Sequence, residues 1–168
     1  MSAVLSPCGT YRYRLERDLG MFGPVGAFVM VNPSTADGSI DDQTIRKVTG
    51  FSKRFGWSRV IVGNVFAYRA TDISRLATAK DPVGPENYEH LRRIVREAES
   101  VVCAWGALQK LPPTLRNQWR SVADLAVEVS KPLRCLGTVK DGHPKHPLMV
   151  GYSAELADWL PPLAVPFT

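Results

Sequence analysis

Phe28-Val29-Met30-Val31-Asn32-Pro33-Ser34-Thr35-Ala36-Asp37 changes character in one step, from apolar to polar. Four consecutive apolar residues read as a buried strand, of the kind covered on both faces in a parallel sheet. The strand stops at Asn32-Pro33, because Pro33 has no N–H for a ladder and biases Asn32 towards an extended conformation. A polar loop therefore leaves the carboxyl end of a buried strand, where open α/β sheets bind ligands. It continues through Asp37-Gly38-Ser39-Ile40-Asp41-Asp42 into an amphipathic helix and reads as the floor and lip of a pocket.

The same pattern recurs downstream. Arg59 to Phe66, Ser100 to Gly106 and Leu133 to Gly137 are apolar runs that empty into polar or glycine-bearing segments. Stripes at helical spacing lie between them: Ile45, Val48, Phe51 and Phe55; then Tyr88, Leu91, Ile94, Val95 and Ala98; then Leu115, Trp119, Val122, Leu125, Ala126 and Val129. Asp41 or Asp42 suits the start of the first helix, Pro85 the first turn of the second, and Thr114 the cap of the third. Ser153 is expected to cap a short final helix with Leu156, Trp159 and Leu160 inward. Upstream, Tyr11-Arg12-Tyr13-Arg14-Leu15 has the period of a half-buried strand at a sheet edge. Its arginines are expected to be exposed, deterring edge-to-edge pairing or touching phosphate.

Alternating strands and helices predict four parallel strands near 27–31, 60–65, 101–105 and 133–136. The expected fold is a three-layer α/β/α sandwich around a central four-stranded parallel sheet. An N-terminal edge strand or hairpin completes it, in one α/β domain over residues 1–168. Right-handed crossovers put every strand's carboxyl end on one edge. Asn32, Ser34, Asp37, Asn64, Arg69, Asp72, His143 and His146 are expected to converge there.

Composition sets bounds on partners. With 168 residues, 45% hydrophobic and 22% charged, the chain suits one globular core. No apolar run is long enough to span a bilayer, and Met1 to Pro7 lacks the pattern of a signal peptide. A cytoplasmic monomer without a membrane partner is expected. Cys8, Cys103 and Cys135 are scattered, which argues against a disulfide framework, structural zinc or an iron–sulfur cluster. Cys103 and Cys135 read as small core residues. A net charge of +5 permits a nucleic-acid partner without demanding one. P-loop, Rossmann and nucleophile-elbow signatures are absent, so no cofactor is expected.

Individual residues keep two readings. Asn32 can orient a water or a carbonyl, or it can tie its own loop. Asp37, Asp41 and Asp42 can hold a divalent metal, but helix capping explains the last two more simply, and no metal is expected. His143-Pro144-Lys145-His146-Pro147 can move protons or hold zinc, though no third ligand has a convincing spacing.

Ser6-Pro7-Cys8-Gly9, the Asn32 to Asp37 run, Asp72 after Arg69-Ala70-Thr71, Asp81 to Asn87, and Asp141-Gly142-His143-Pro144-Lys145-His146-Pro147 together resemble an uncharacterised family of small bacterial and phage proteins. A more distant resemblance is to the uracil-DNA glycosylase superfamily. Val31-Asn32-Pro33 resembles its Asn-Pro motif, Asn64 to Arg69 its second-strand segment, and His143-Pro144 or His146-Pro147 its late His-Pro motif. Met30 and Ser34 stand where glycines are usual, and two His-Pro pairs compete for one motif. The resemblance implies hydrolysis of an N-glycosidic bond to a damaged or modified base, in DNA repair. Asn32 would hold the attacking water, Asn64 would read the base, and His143 or His146 would stabilise its anion. Ser34, Asp37 and Asp72 would complete the substrate pocket, and Arg69, Lys140 and Lys145 could hold phosphates. The alternatives are a non-catalytic nucleic-acid or nucleotide-binding module and a metal-dependent nuclease.

Overall fold

The computed structural model describes residues 1–162. It is an α/β structure with a mixed seven-stranded sheet and three α-helices. Strand β1 spans Ser2–Leu5, β2 Arg12–Asp18, β3 Val25–Met30, β4 Arg59–Asn64, β5 Ser100–Cys103, β6 Leu133–Cys135 and β7 Ala157–Asp158. Helix α1 spans Gln43–Arg54, α2 Asn87–Glu97 and α3 Arg120–Glu128. The strand order is β1-β2-β4-β3-β5-β6-β7. β3 pairs in parallel with β4 and β5, and β5 with β6. β1, β2 and β7 are added antiparallel at the two flanks.

Alternation along β3 builds two cores. Ala27 and Val29 pack with Leu91, Ile94 and Val95 of α2 and Val122 and Leu125 of α3. Phe28 and Met30 pack with Ile45, Val48 and Phe51 of α1 on the opposite face. Gly26 is required by close approach, since a Cβ there would lie 2.1 Å from the Trp57 ring. Asp42 caps α1 by accepting from the Ile45 N–H at 2.9 Å, as acidic residues at that boundary suggest.

The connection β3–α1–β4 runs to one side, whereas β4–α2–β5 crosses back over β3. The order in which strands are added therefore reverses between the parallel neighbours β3 and β5, and the loops leaving them diverge to opposite faces. Such a switch point opens a crevice at the strands' carboxyl ends.

Local expectations fail in four places. Tyr11 to Leu15 is not an outer edge, because β1 covers β2. The Arg12 side is not exposed either: Val4 pairs with Arg14 and Leu5 with Arg12, so Tyr13 is an extra residue bulged out of the ladder. A bulge inverts the alternation and re-aims side chains, and Arg12 is only 2% exposed. Thr114 lies in a 3-10 turn, Pro113–Leu115, and α3 starts later, at Arg120. α2 begins at Asn87, beyond Pro85. The segment after Ser153 forms the short strand β7 rather than a helix, leaving Leu160 exposed while Trp159 is buried. There the Arg134 to Asp158 and Cys135 to Ala157 pairing extends the sheet edge, which outweighs the helical spacing.

Candidate functional site

A cavity of about 490 Å³ lies at the switch point. The loop after β3 contributes Val31, Asn32 and Ser34 to its wall, and Thr44 comes from the first turn of α1. The segment after β4 contributes Ala70, Thr71, Asp72 and Ile73, and that after β5 contributes Trp105, Gly106 and Ala107. Lys110, His146, Leu148 and Met149 close it. The segments leaving β3, β4, β5 and β6 therefore meet in one concavity.

Asn32 is oriented by its own loop and its neighbour. Its Nδ2 donates to the Ala70 carbonyl at 2.8 Å and to the Pro33 carbonyl at 3.1 Å. Both amide protons are thus engaged, and Oδ1 remains as an acceptor. The amide therefore ties two loops, as the second reading of this residue has it, and the residue also lines the cavity.

The two loop histidines have separate environments. His146 is half-buried and lines the cavity. Its Nδ1 accepts from the Leu148 N–H at 3.3 Å, so the neutral ring carries its proton on Nε2. Burial lowers its pKa, with Lys110 acting in the same direction and Asp42 opposing. At neutral pH His146 is therefore an uncharged hydrogen-bond donor. Gly106, at φ +82°, brings the two loops together: its N–H donates to the Pro144 carbonyl at 2.9 Å, and a Cβ there would lie 3.5 Å from the His146 Cβ.

His143 lies behind that wall. It is 5% exposed, its Nδ1 accepts from Trp105 Nε1 at 3.3 Å, and its ring centroid is 4.9 Å from that of Trp119. Burial lowers its pKa, with Asp141 opposing. It packs within the core and supports Trp105, which lines the cavity.

The other expected site residues divide. Ser34 and Asp72 line the cavity, and Asp72 also caps the 3-10 turn Ile73–Ala77 by accepting from the Ser74 N–H. Arg69 lies outside it, in an adjoining groove of about 270 Å³ with Ser34, Thr35, Thr71 and Arg75. Asp37 turns into its own loop, accepting from the N–H groups of Ser39 and Ile40, which hold its pKa below the usual carboxylate value. Asn64 is 1% exposed and does not line the cavity. Lys140 is exposed and Lys145 packs beside Gly137, and neither lines the cavity. Asp41 pairs with Arg17 at 2.7 Å. Among the described residues no group of three His, Cys, Asp or Glu side chains is placed to hold a metal ion. No helix of the described residues is long and apolar enough to cross a membrane.

Sequence reasoning missed Thr44, Trp105, Lys110 and Arg12. Trp105 was legible, since it ends an apolar run next to a glycine. Arg12 was hidden by the bulge.

Residues 12–148 match the model of a family described as a protein of unknown function, DUF1643, and the chain belongs to that family. No curated protein and no solved structure matches it.

Proposed function

We propose, for this member of a family of unknown function, that the cavity receives an extruded nucleotide and that the protein hydrolyses its N-glycosidic bond. The observation that carries the reading is that Asn32, whose Oδ1 is left as an acceptor, and a neutral His146, with its proton on Nε2, line one cavity at the carboxyl ends of parallel strands. Such cleavage passes through an oxocarbenium-like sugar and a departing anion. Asn32 Oδ1 accepts a hydrogen bond from the attacking water and aims its oxygen at the anomeric carbon. The C–N bond breaks with its electron pair on the base, the water oxygen bonds to carbon, and the surplus proton goes to solvent. His146 donates to the departing base, a preorganised dipole aimed where charge develops.

Further features support the reading. The four parallel strands in the order β4-β3-β5-β6, with helices on both faces, fit a three-layer sandwich of the uracil-DNA glycosylase kind. Trp105, Ile73 and Met149 offer apolar surface to a base. Arg69 and Arg75, in the adjoining groove, would meet phosphates of a DNA strand. Of the residues that the resemblance implies, His143, Asn64, Asp37, Lys140 and Lys145 drop out of the direct mechanism, and Asn32, His146, Ser34, Asp72 and Arg69 remain.

The test is a panel of single- and double-stranded DNA carrying damaged or modified bases. Free base and alkali-labile sites are the expected products, and Asn32→Ala should lower both on the order of a hundredfold. Direct strand cleavage would replace the reading with a nuclease. Salt-sensitive binding without base release would replace it with a non-catalytic module.

A further inference from the structure

Arg12 is a buried guanidinium that touches no carboxylate among the described residues, although Asp42 shares its recess and favours its charge. Among the described residues it makes one side-chain hydrogen bond, from Nη1 to the Ala36 carbonyl at 2.7 Å. Its Nε is buried without a partner, and no carboxylate lies within ion-pair distance of it. Arg17 shows that this is not a property of the strand. It is equally buried, yet it pairs with Asp41 at 2.7 Å and donates to the Asp37 carbonyl at 2.6 Å. Burial pushes the Arg12 pKa down to about 10, which leaves it charged at neutral pH.

The side chain lines a recess of about 40 Å³ that opens behind the main cavity. Met30, Asp42 and Ile45 complete its inner wall, while Asn32, Ser34, Thr44 and His146 belong to both spaces. The recess lies at the N-terminal end of α1, where the helix dipole favours negative charge. The Tyr13 bulge turns Arg12 to this face. Asp42 sets a limit, because a second negative charge on a ligand would meet its carboxylate.

We propose that this recess binds a planar, singly charged anion on the guanidinium of Arg12. The shared chemistry is a delocalised O–C–O or O–C–N edge, and two sources supply it: the carboxylate of a small ligand, or the anion of a departed oxo-base. The site stands independently of the N-glycosidic reading. With the second source it deepens that reading, because Arg12 then selects bases that bear a carbonyl oxygen.

Thermal unfolding of the full chain tests the site with sodium formate, sodium chloride and sodium phosphate at matched ionic strength. Formate should raise the Tm along a saturation curve, as a ligand of the native state does, and phosphate should do so less. Arg12→Lys keeps the cation and loses the planar fork, and it should weaken formate binding about tenfold or more. Thr44→Val leaves Arg12 in place and removes a hydroxyl from the wall. It serves if the first variant does not fold, and should weaken formate several-fold. Equal Tm in formate and chloride, tighter binding of phosphate, or undiminished formate binding in the variants would overturn the proposal. Competition with free uracil, in buffer alkaline enough to ionise its ring N–H, then separates the sources. Displacement of formate assigns the recess to a base. Formate binding without displacement assigns it to a carboxylate ligand and counts against base hydrolysis.

Discussion

His143→Ala should cost about 3–5 kcal/mol of folding free energy, a large part of the roughly 5–15 kcal/mol that holds a domain together. The imidazole sits among three indoles, with centroids 4.9 Å from Trp119, 6.0 Å from Trp159 and 6.5 Å from Trp105. Rings of that size cannot collapse into the space left behind, and large-to-small core changes cost about 2–5 kcal/mol. Trp105 Nε1 also loses its acceptor, and a buried donor left unsatisfied costs about 1–3 kcal/mol. The two effects overlap, so they do not simply add. Acidity provides a second measurement. Burial holds the folded-state pKa of His143 below the ordinary value of 6.5, so the unfolded chain takes up its proton first. The stabilisation is complete above that value and is lost as the pH falls through it towards the folded pKa. One histidine contributes a slope of at most about 1.4 kcal/mol per pH unit. Urea unfolding on either side of pH 6.5 reads both quantities. A loss below about 1 kcal/mol, or an unchanged acid slope in the variant, would refute the core placement.

The remaining expectations concern the cavity and its frame. His146→Ala should cost no more than about 1.5 kcal/mol, the value of one hydrogen bond, because the side chain is half-buried and bonds only to Leu148; the same urea titration measures it. Asn32→Ala should lower base release on the order of a hundredfold, as loss of an oriented transition-state group does, while a binding titration moves far less. Arg17→Met should cost about 3–5 kcal/mol in urea unfolding, because it strands Asp41 and the Asp37 carbonyl. Gly26→Ala should cost at least about 1–3 kcal/mol and alter Trp57 fluorescence, because the new methyl meets a rigid ring. Gly63→Ala should cost less, since it meets the movable ends of Ile94 and Leu91.

Periodicity carried the strands and the two cores because both obey local rules. β3 is apolar on both faces, and α1 and α2 bury most of the stripes their spacing implies, with Tyr88 left exposed at the start of α2. Asn32 was legible as a cavity residue for a similar reason, since a proline must end a ladder and strand ends converge. His143 and His146 were not separable in the sequence. Each precedes a proline, and only the packing of Trp105, Trp119 and Trp159 decides which faces inward. β7 was missed because two residues are too few to show a period, so pairing with β6 determines their state. Arg12 was misassigned because alternation assumes an unbroken ladder, and one inserted residue inverts every side chain beyond it.

That inversion bears on how the cavity is held. The β1–β2 ladder could accommodate Arg12 on the outside at no cost, as it does Arg14, which reaches Glu97 near the surface at 2.6 Å. Instead the bulge carries a cation into the core, where leaving polar groups unpaired is expensive. The guanidinium recovers part of that cost by holding the Ala36 carbonyl, which fixes the loop that begins with Asn32. A neutral donor could hold that carbonyl equally well, so the loop alone does not explain a charge. Asp42, in the same recess, offsets part of that charge without touching it, and an anion entering from the cavity would meet the rest. Strand propensity, ladder regularity and burial all disfavour Arg12 where it is, and Asn32, Thr44 and His146 converge on the same small recess. Local rules broken together at one place mark a ligand site more reliably than any single residue there does.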